Sequence, residues 1–288
     1  MQKGKTGIYI GLVLTMMFWG LTFVFYKLAF ESFRPFSVIF LRLIISVIFL
    51  FVAGHLLKRI QKVEKKDMLT LAGLALFEPF LYFMGESNGL MFVSSTLAAV
   101  IVATIPLLVP VIAYFVHKEK LTRLNIIGLF LSFGGVIAVI MSTGLDWSAT
   151  IKGVLLMFLA VFSAVAYAII VKNMTHKYTG FTITAWQNFF GIFLFLPFVL
   201  IFDFQHLVST IPTQKALLAL LYMAIFGSSI TFILFTQGVR ELGTSKANFF
   251  ANLIPVFAAI FAFFILKEEM PFLKIAGIVL VLLGLVLS

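Results

Sequence analysis

Long runs of apolar residues, separated by short polar breaks, follow one another along the whole chain. The runs do not alternate residue by residue, and most are about 20 residues long, which is the length of an α-helix that crosses a bilayer. With boundaries good to about 3 residues, the predicted segments are 7–27, 36–54, 69–90, 95–116, 123–142, 152–172, 180–202, 216–238, 245–266 and 271–287. The pattern predicts an all-α integral membrane protein with ten transmembrane helices.

The basic residues are unevenly distributed over the two sides of these predicted helices. With the N-terminus placed in the cytoplasm, 14 of the 21 Lys and Arg residues lie on the cytoplasmic side and 6 on the external side, while Arg42 lies inside the second segment. Cytoplasmic loops of membrane proteins carry such an excess of basic residues. The distribution predicts cytoplasmic N- and C-termini, and it explains the net charge of +10 without a nucleic-acid partner.

The composition changes this picture only by excluding several kinds of chemistry. Hydrophobic residues make up 62% of the chain and charged residues 11%, against about 25% charged residues in soluble domains. The chain has no Cys, and its four His residues are scattered without the spacing of metal ligands. No glycine-rich nucleotide-binding loop occurs. We therefore expect no metal site, no cofactor and no ATP hydrolysis by this chain.

The second half of the sequence repeats the first at an offset of 149 residues. The matching residues are Pro106 with Pro255, Lys118-Glu119 with Lys267-Glu268, Gly128 with Gly277, and Gly135 with Gly284. Because each half holds five predicted helices, an odd number, the second half enters the membrane in the opposite sense. We therefore predict a first repeat over residues 1–144 and an inverted repeat over 145–288, with a central site near the midplane as in secondary transporters.

Four motifs carry a resemblance to a known family. They are "FWGLTFVFYK", "FLRLIIS", "SSTLAAVIVATIPLLVPVIAYFVHKEKL" and "SKANFFANLIPVFAAIFAFFILKEEM". With them the chain resembles the EamA family, the ten-helix branch of the drug/metabolite transporter superfamily. The resemblance implies a metabolite carrier, usually an exporter, in a bacterial inner membrane. It also implies a cavity lined by helices 1–4 and 6–9. The acid-bearing third segment, "LFEPFLYFMGES", departs from the family pattern.

Two prolines fall inside predicted membrane helices at equivalent places in the two halves. Pro106 and Pro255 each remove a backbone donor and free the carbonyl four residues earlier. At that depth a free carbonyl must face protein, water or a ligand. The prolines therefore indicate either a hinge with a ligand contact or a kink that serves packing alone.

Three charged residues also fall inside predicted helices. A charge at the bilayer centre costs about 2.5–3.5 kcal/mol on insertion scales, so it needs a partner or a wet cavity. Arg42 and Glu86 share a predicted depth and are expected to pair, whereas Glu78 lies near the middle of its helix. Glu78 is predicted either to couple transport to protons or, as a protonated side chain, only to stabilise its helix.

Aromatic and amide side chains complete the candidate site. For each of them, an interhelical hydrogen bond or packing in the core is the alternative to a contact with substrate. A cavity of this composition suits a neutral, zwitterionic or partly apolar metabolite. The predicted substrate-binding residues are Trp19, Glu78, Tyr82, Tyr167, Trp186, Gln187, Asn248 and Asn252.

These features favour a secondary transporter that exports a small metabolite, such as an amino acid, by alternating access. A lipid-carrier flippase or a channel-like pore is the alternative within transport. A membrane-embedded enzyme is disfavoured because no cluster of His or carboxylate residues lies at one membrane face. The expected partners are a small-molecule substrate and the lipid bilayer, and both a monomer and a homodimer stay open.

Overall fold

The computed structural model describes residues 2–109, 123–142 and 147–287, which form helices joined by short turns and loops, with no strand among them. The helices of the first half are α1 (Gln2–Ala29), α2 (Pro35–Leu56), α3 (Lys65–Gly89), α4 (Ser95–Val109) and α5 (Arg123–Met141). The predicted end of the fourth segment, with the Lys118-Glu119 pair, lies outside the described residues, as does the predicted boundary between the halves.

The second half continues with five more helices. They are α6 (Trp147–Thr175), α7 (Gly180–Ser209), α8 (Gln214–Leu242), α9 (Lys246–Leu266) and α10 (Phe272–Leu287). Each apolar segment predicted from the sequence coincides with one helix over the part that the structure describes.

Eight of these helices are long and apolar enough to cross a membrane, and α4 and α10 are shorter apolar helices. Large apolar side chains cover the outside of the bundle, among them Phe130 with 74% of its surface exposed and Ile201 with 72%. A soluble protein rarely exposes so much apolar surface, whereas lipid solvates it. The all-α membrane class is confirmed, and ten crossings arranged as two inverted repeats stay a prediction.

Polar side chains and special residues define where several helices begin. The hydroxyl of Ser94 accepts a hydrogen bond from the Leu97 backbone at the start of α4, over 3.1 Å. Thr179 and Thr213 cap α7 and α8 in the same way. These caps satisfy backbone donors that a helix end leaves unpaired. Gly243, with φ of 85°, supplies the left-handed turn between α8 and α9.

Helices α5 and α10 pack against each other through glycines and run antiparallel. A Cβ atom built on Gly277 would lie 2.7 Å from the Gly135 carbonyl oxygen, and one built on Gly284 would clash with Gly128. Gly135 comes seven residues after Gly128, while its neighbour Gly277 comes seven residues before Gly284. Small residues let the two backbones approach closely, and this pair lies at the edge of the bundle.

Several contacts between the other helices occur in pairs, and exchanging each helix for its counterpart in the other half turns one contact of a pair into the other. Helix α1 packs against α8 and α9, and its counterpart α6 packs against α3 and α4. Helix α2 packs against its own counterpart α7. These contacts therefore have equivalents in both halves.

Helices α3 and α8 are both interrupted near their middle. In α3 a π-helical segment spans Leu76–Leu81, and inside it Glu78 has the non-helical angles φ −141° and ψ 114°. In α8 a π-helical segment spans Met223–Ile230. The interruptions release backbone groups that side chains must satisfy. The Phe77 carbonyl oxygen, for example, accepts a hydrogen bond from Ser163 Oγ at 2.6 Å.

Helices α4 and α9 are interrupted just before their prolines. Helix α4 turns at residues 103–104, and α9 narrows to a 3₁₀ segment over Phe250–Leu253. The prolines predicted to lie inside helices, Pro106 and Pro255, therefore stand in the first turn of a new helical segment. Proline is compatible with the helix there because its missing N–H has no partner to lose.

Candidate functional site

A cavity lies among seven of the helices, and side chains from both halves line it. It holds about 690 Å³ of empty space, a volume that includes the part open to solvent. The lining residues are Trp19, Thr22, Phe23, Arg42, Glu78, Tyr82, Phe83, Glu86, Val102, Ile105, Ala164, Tyr167, Ala168, Phe232, Phe235, Asn248, Ala251 and Ile254.

Arg42 of α2 is the central cation of this site, with 1% of its surface exposed. Its Nη1 atom lies 4.0 Å from Glu86 Oε2 and donates a hydrogen bond to Tyr26 Oη at 2.8 Å. The guanidinium carbon also lies 4.2 Å from the centre of the Phe83 ring. The structure thus brings together Arg42 and Glu86, whose predicted depths match, and surrounds the cation with an acid and aromatic faces.

The interrupted segment of α8 provides the other side of the arginine site. Arg42 Nε donates to Ser228 Oγ, and a Cβ atom built on Gly227 would lie 3.2 Å from Arg42 Nη2. The Asn188 side chain donates to the Ser228 carbonyl oxygen at 3.2 Å and to Ser46 Oγ at 2.8 Å. The predicted site contained neither Ser228 nor Ser46, because serines inside membrane helices carry no sequence signal that distinguishes such a role.

Glu78 lies in the interruption of α3 and faces the cavity. Its side chain is 7% exposed, and among the described residues its carboxylate has no hydrogen bond and no ion pair. Pro79 follows it and packs near α7, since a Cβ built on Gly191 would lie 2.5 Å from Pro79 Cγ. Residues before proline avoid helical angles, so the Glu-Pro sequence explains why the helix opens at this acid.

The remaining predicted residues divide into those that line the cavity and those behind it. Trp19 lines it and donates from Nε1 to the Gly227 carbonyl oxygen at 3.2 Å. Tyr167 lines it and donates to Gln187 Oε1 at 3.2 Å, so Gln187 lies one layer further out. Tyr82 donates to Glu86 Oε1 at 2.9 Å.

The two predicted asparagines of α9 separate, since Asn248 is among the lining residues and Asn252 is not. The 3₁₀ segment Phe250–Leu253, which contains Asn252, changes the helical register that would otherwise put both on one face. Trp186 also lies outside the cavity lining and packs against Phe51 and Phe189 instead. Among the described residues, Trp186 Nε1, Gln187 Nε2 and Asn252 Oδ1 are buried without a hydrogen-bond partner.

The prolines predicted as hinges lie next to the cavity wall. Ile105 and Ile254, which precede Pro106 and Pro255, both line the cavity, as do Val102 and Ala251 on the other side of each interruption. The two interruptions therefore border the site from equivalent positions in α4 and α9.

A second polar cluster, which the sequence analysis missed, joins the start of α3 to the α6–α7 loop. Lys177 forms ion pairs with Asp67 and, over 2.9 Å, with Glu64. Hydrogen bonding to Lys177 holds the pKa of the exposed Glu64 carboxyl below its usual range. Hydrogen bonds from Lys177 to Asp67 and Glu64 raise the pKa of its ammonium group. The Tyr178 hydroxyl donates to Asp67 Oδ2 at 2.6 Å.

Metal chemistry finds no support in the described part of the chain, where no group of three His, Cys, Asp or Glu side chains could hold an ion. In the described lining, the two carboxylates Glu78 and Glu86 lie near one guanidinium, that of Arg42.

Apolar helices of bilayer length around a cavity with buried charges define a multi-pass membrane protein of the transporter class. A model of the EamA-like transporter family matches residues 6–141 and again residues 151–288. The chain therefore belongs to the EamA-like transporter family, as its motifs predict.

Individual relatives agree with this assignment over nearly their whole length. The uncharacterized transporter YetK of Bacillus subtilis (strain 168) is 27% identical over 287 residues, which cover 98% of this chain and 87% of YetK. YcxC, an uncharacterized transporter of the same strain, is 29% identical over 98% of this chain and 92% of its own. An uncharacterized transporter of Archaeoglobus fulgidus is 27% identical over 96% of this chain and 95% of its own.

A solved crystal structure of another protein superposes on this chain with a TM-score of 0.72. The superposition covers 98% of this chain and 97% of the other, at 15% sequence identity. At that identity the likeness concerns the fold alone.

Proposed function

We propose that the protein is a secondary transporter that moves a small metabolite by alternating access around the central cavity. The observation that carries the proposal is the cavity itself: it is buried, lined by helices of both halves, and contains the charged residues Arg42, Glu78 and Glu86. Charges at this depth are costly unless a ligand, a proton or a partner uses them. Rocking of one half against the other would expose the cavity to each side in turn.

Several observations support two inverted five-helix repeats as the moving parts. The family model matches the two halves separately. The equivalent helices α5 and α10 are antiparallel, and their contact between Gly135 and Gly277 becomes the contact between Gly284 and Gly128 when the halves are exchanged. An axis that exchanges antiparallel equivalents lies in the membrane plane, as in known inverted-repeat carriers.

We assign the coupling role to Glu78, whose carboxylate would carry a proton during one half of the cycle. The charged and titratable groups that face it are Glu86 and Tyr82 of α3, Arg42 of α2 and Tyr167 of α6. Within the described residues Glu78 forms no ion pair, since the guanidinium of Arg42 lies against Glu86. The alternation between a protonated and an ionised Glu78 would therefore be set by access to water and to ligand.

For the cellular setting we propose the bacterial inner membrane, cytoplasmic termini and export as the direction. The excess of Lys and Arg on the predicted cytoplasmic side supports the orientation. The resemblance to family exporters supports the direction. The proposed substrate is a small metabolite such as an amino acid, and the cavity within one chain is compatible with a transporting monomer.

Reconstitution in liposomes tests this proposal. A thermal-shift screen of purified protein against amino acids, amines, sugars and nucleosides first identifies a ligand, because a ligand of the folded state raises its melting temperature. Counterflow of that labelled ligand supports a carrier, whereas its chemical conversion supports an enzyme. Absence of counterflow for every ligand that binds contradicts the proposal.

The coupling role of Glu78 has its own test. Glu78→Gln is expected to retain expression and folding but to lose the acceleration of transport by a pH gradient. Glu241→Gln is the matched control, since Glu241 lies at the end of α8 outside the central cavity. Normal transport across a pH gradient by Glu78→Gln contradicts the coupling role.

A further inference from the structure

The hydrogen-bond donors of Trp19, Tyr82 and Tyr167 in the cavity lining are already engaged by the protein. Trp19 Nε1 donates to the Gly227 carbonyl oxygen at 3.2 Å, and Tyr82 donates to Glu86 at 2.9 Å. Tyr167 donates to Gln187 at 3.2 Å. A ligand that brings only acceptors, such as a carboxylate or a phosphate, would compete with these bonds for a donor.

The carboxylate of Glu78, by contrast, is left available. Glu78 is 7% exposed and, within the described residues, forms no hydrogen bond or ion pair. Glu86 differs, because its Oε1 atom accepts a hydrogen bond from Tyr82 and its Oε2 atom lies 4.0 Å from Arg42. Buried acceptors are normally satisfied, so the Glu78 carboxylate requires a group that donates hydrogen bonds.

The charge of the lining points in the same direction. Among the described residues of the lining, the side chains that carry a charge at neutral pH are the carboxylates Glu78 and Glu86 and the guanidinium of Arg42. Arg42 is held by Glu86, Tyr26 and Ser228. When both acids are ionised, one negative charge stays uncompensated, and a monovalent cation would balance it.

Aromatic rings form the apolar wall around these carboxylates. Trp19 packs edge-on against Phe232, with ring centres 5.4 Å apart, and against Phe235 at 5.3 Å. Tyr167 approaches Phe232 from the other side, with ring centres 6.4 Å apart. Aromatic faces attract organic cations and also bury an apolar body.

We propose that the cavity binds a monovalent organic amine, whose ammonium group pairs with Glu78 and whose apolar body lies against the aromatic wall. The inference rests on the proposed function, keeps its small-metabolite substrate and replaces the amino acid given there as an example by an amine. An amino acid is a poorer ligand than its amine, because its carboxylate finds Arg42 already paired with Glu86. The same reasoning disfavours anions and leaves neutral alcohols with the apolar contact alone.

Four ligands that share one phenyl ring but differ in charge test this inference. They are phenethylamine (cation), phenylalanine (zwitterion), 2-phenylethanol (neutral) and 3-phenylpropionate (anion). Calorimetry on the purified protein at pH 7 is expected to give phenethylamine an affinity at least about tenfold above each of the others, as one charge-assisted hydrogen bond provides. Equal or tighter binding of phenylalanine or 3-phenylpropionate overturns the inference, and so does the absence of amine binding.

Matched variants locate the cation. Glu78→Gln is expected to weaken phenethylamine binding by about tenfold or more while leaving 2-phenylethanol binding unchanged, because the aromatic wall is intact. Glu241→Gln, the acid outside the cavity, is expected to leave both unchanged. Unaltered amine affinity in Glu78→Gln, or equal losses for both ligands, overturns the assignment of the ammonium group to Glu78.

Binding in detergent needs no transport, so the two proposals fail separately. Phenethylamine that binds but shows no counterflow in liposomes contradicts the proposed transporter and leaves the inferred site intact. Counterflow of a neutral or anionic metabolite, with no amine binding, contradicts this inference and leaves the transporter.

Discussion

The interrupted segments of α3 and α8 use one backbone device for two different purposes. Both lie near the middle of their helices, and the offset of the sequence repeat pairs Glu78 with Gly227. In each, a hydroxyl satisfies the carbonyl oxygen released before the break: Ser163 donates to Phe77, and Thr231 donates to Phe226 at 2.8 Å.

The side chains at the two interruptions differ in a way that sets their roles. In the α3 segment Glu78 faces the cavity with a carboxylate that has no partner among the described residues, whereas in the α8 segment Gly227 has no side chain and Arg42 packs against it. Two interruptions at equivalent positions of the repeated sequence therefore differ in chemistry: the charged side chains of the site belong to the first half, and the backbone that contacts Arg42 belongs to the second.

We expect the substitution of Arg42 to cause the largest loss of stability, because its guanidinium links the acids of α3 to the interrupted segment of α8. Arg42→Ala leaves Glu86 buried without its cation, which costs about 3–5 kcal/mol of stability. Thermal unfolding in detergent measures the loss. The exposed Arg34→Ala is the control, and addition of Glu86→Gln to Arg42→Ala should recover part of the stability. An unchanged melting temperature for Arg42→Ala contradicts this role.

A substitution in the glycine contact between α5 and α10 tests whether equivalent helices of the two halves pack as described, at a place away from the charged residues. In Gly277→Leu the new side chain meets Gly135 and Val139 at once, since even a Cβ would lie 2.7 Å from each. Overpacking of this kind costs about 1–3 kcal/mol. Gly134→Leu is the control, because a Cβ there meets nothing within 4 Å. If both variants melt alike, the helices do not meet as described.

A smaller change at Gly227 sharpens the contrast between the two interruptions. The Cβ of Gly227→Ala would lie 2.9 Å from Thr22 Oγ1 and 3.2 Å from Arg42 Nη2, so we expect a loss of about 1 kcal/mol as the arginine shifts. Gly73→Ala, in the regular part of α3 with open space around it, should be neutral or stabilising by about 0.5–1 kcal/mol. Calorimetry measures the melting temperatures of the two variants. Equal shifts in melting temperature contradict the close packing of Arg42 against Gly227.

The smallest expected effect concerns the Lys177 cluster, which lies outside the central cavity. The pKa of Glu64 is lowered by Lys177, so this pair contributes stability above the carboxyl's unfolded pKa and loses it as pH falls through the depressed folded value. The difference in melting temperature between wild type and Lys177→Met should therefore be constant near neutral pH and shrink in acid. Lys62→Met is the control, and a difference that persists in acid argues against the pair.

The positions of the helices follow from the sequence because lipid imposes one simple rule on the backbone. Apolar runs of bilayer length must form helices, so the segments and the depth match of Arg42 with Glu86 are legible without coordinates. The interruption at Glu78 is also indicated by the sequence, since a residue before proline avoids helical angles. The predictions above interpret Glu78 by its charge alone and do not include this interruption.

Other features depend on contacts that a linear pattern does not carry. Ser228 serves as a partner for Arg42 only because α8 opens beside α2. Asn252 leaves the cavity because a 3₁₀ segment changes the register of α9. Lys177 contacts Asp67 across 110 residues of sequence, because the α6–α7 loop lies beside the start of α3. Tertiary packing determines each of these three features, and local helix propensity does not predict them.

Accessibility of the cavity from each side of the membrane tests the central claim most directly. The chain has no Cys, so Ala168→Cys, in the cavity wall on α6, gives a single reporter, and Ile211→Cys, 93% exposed in the α7–α8 loop, gives a one-sided control. A membrane-impermeant thiol reagent should modify Ala168→Cys in both right-side-out and inside-out vesicles, while Ile211→Cys reacts in one orientation. Modification of Ala168→Cys from one side alone contradicts alternating access.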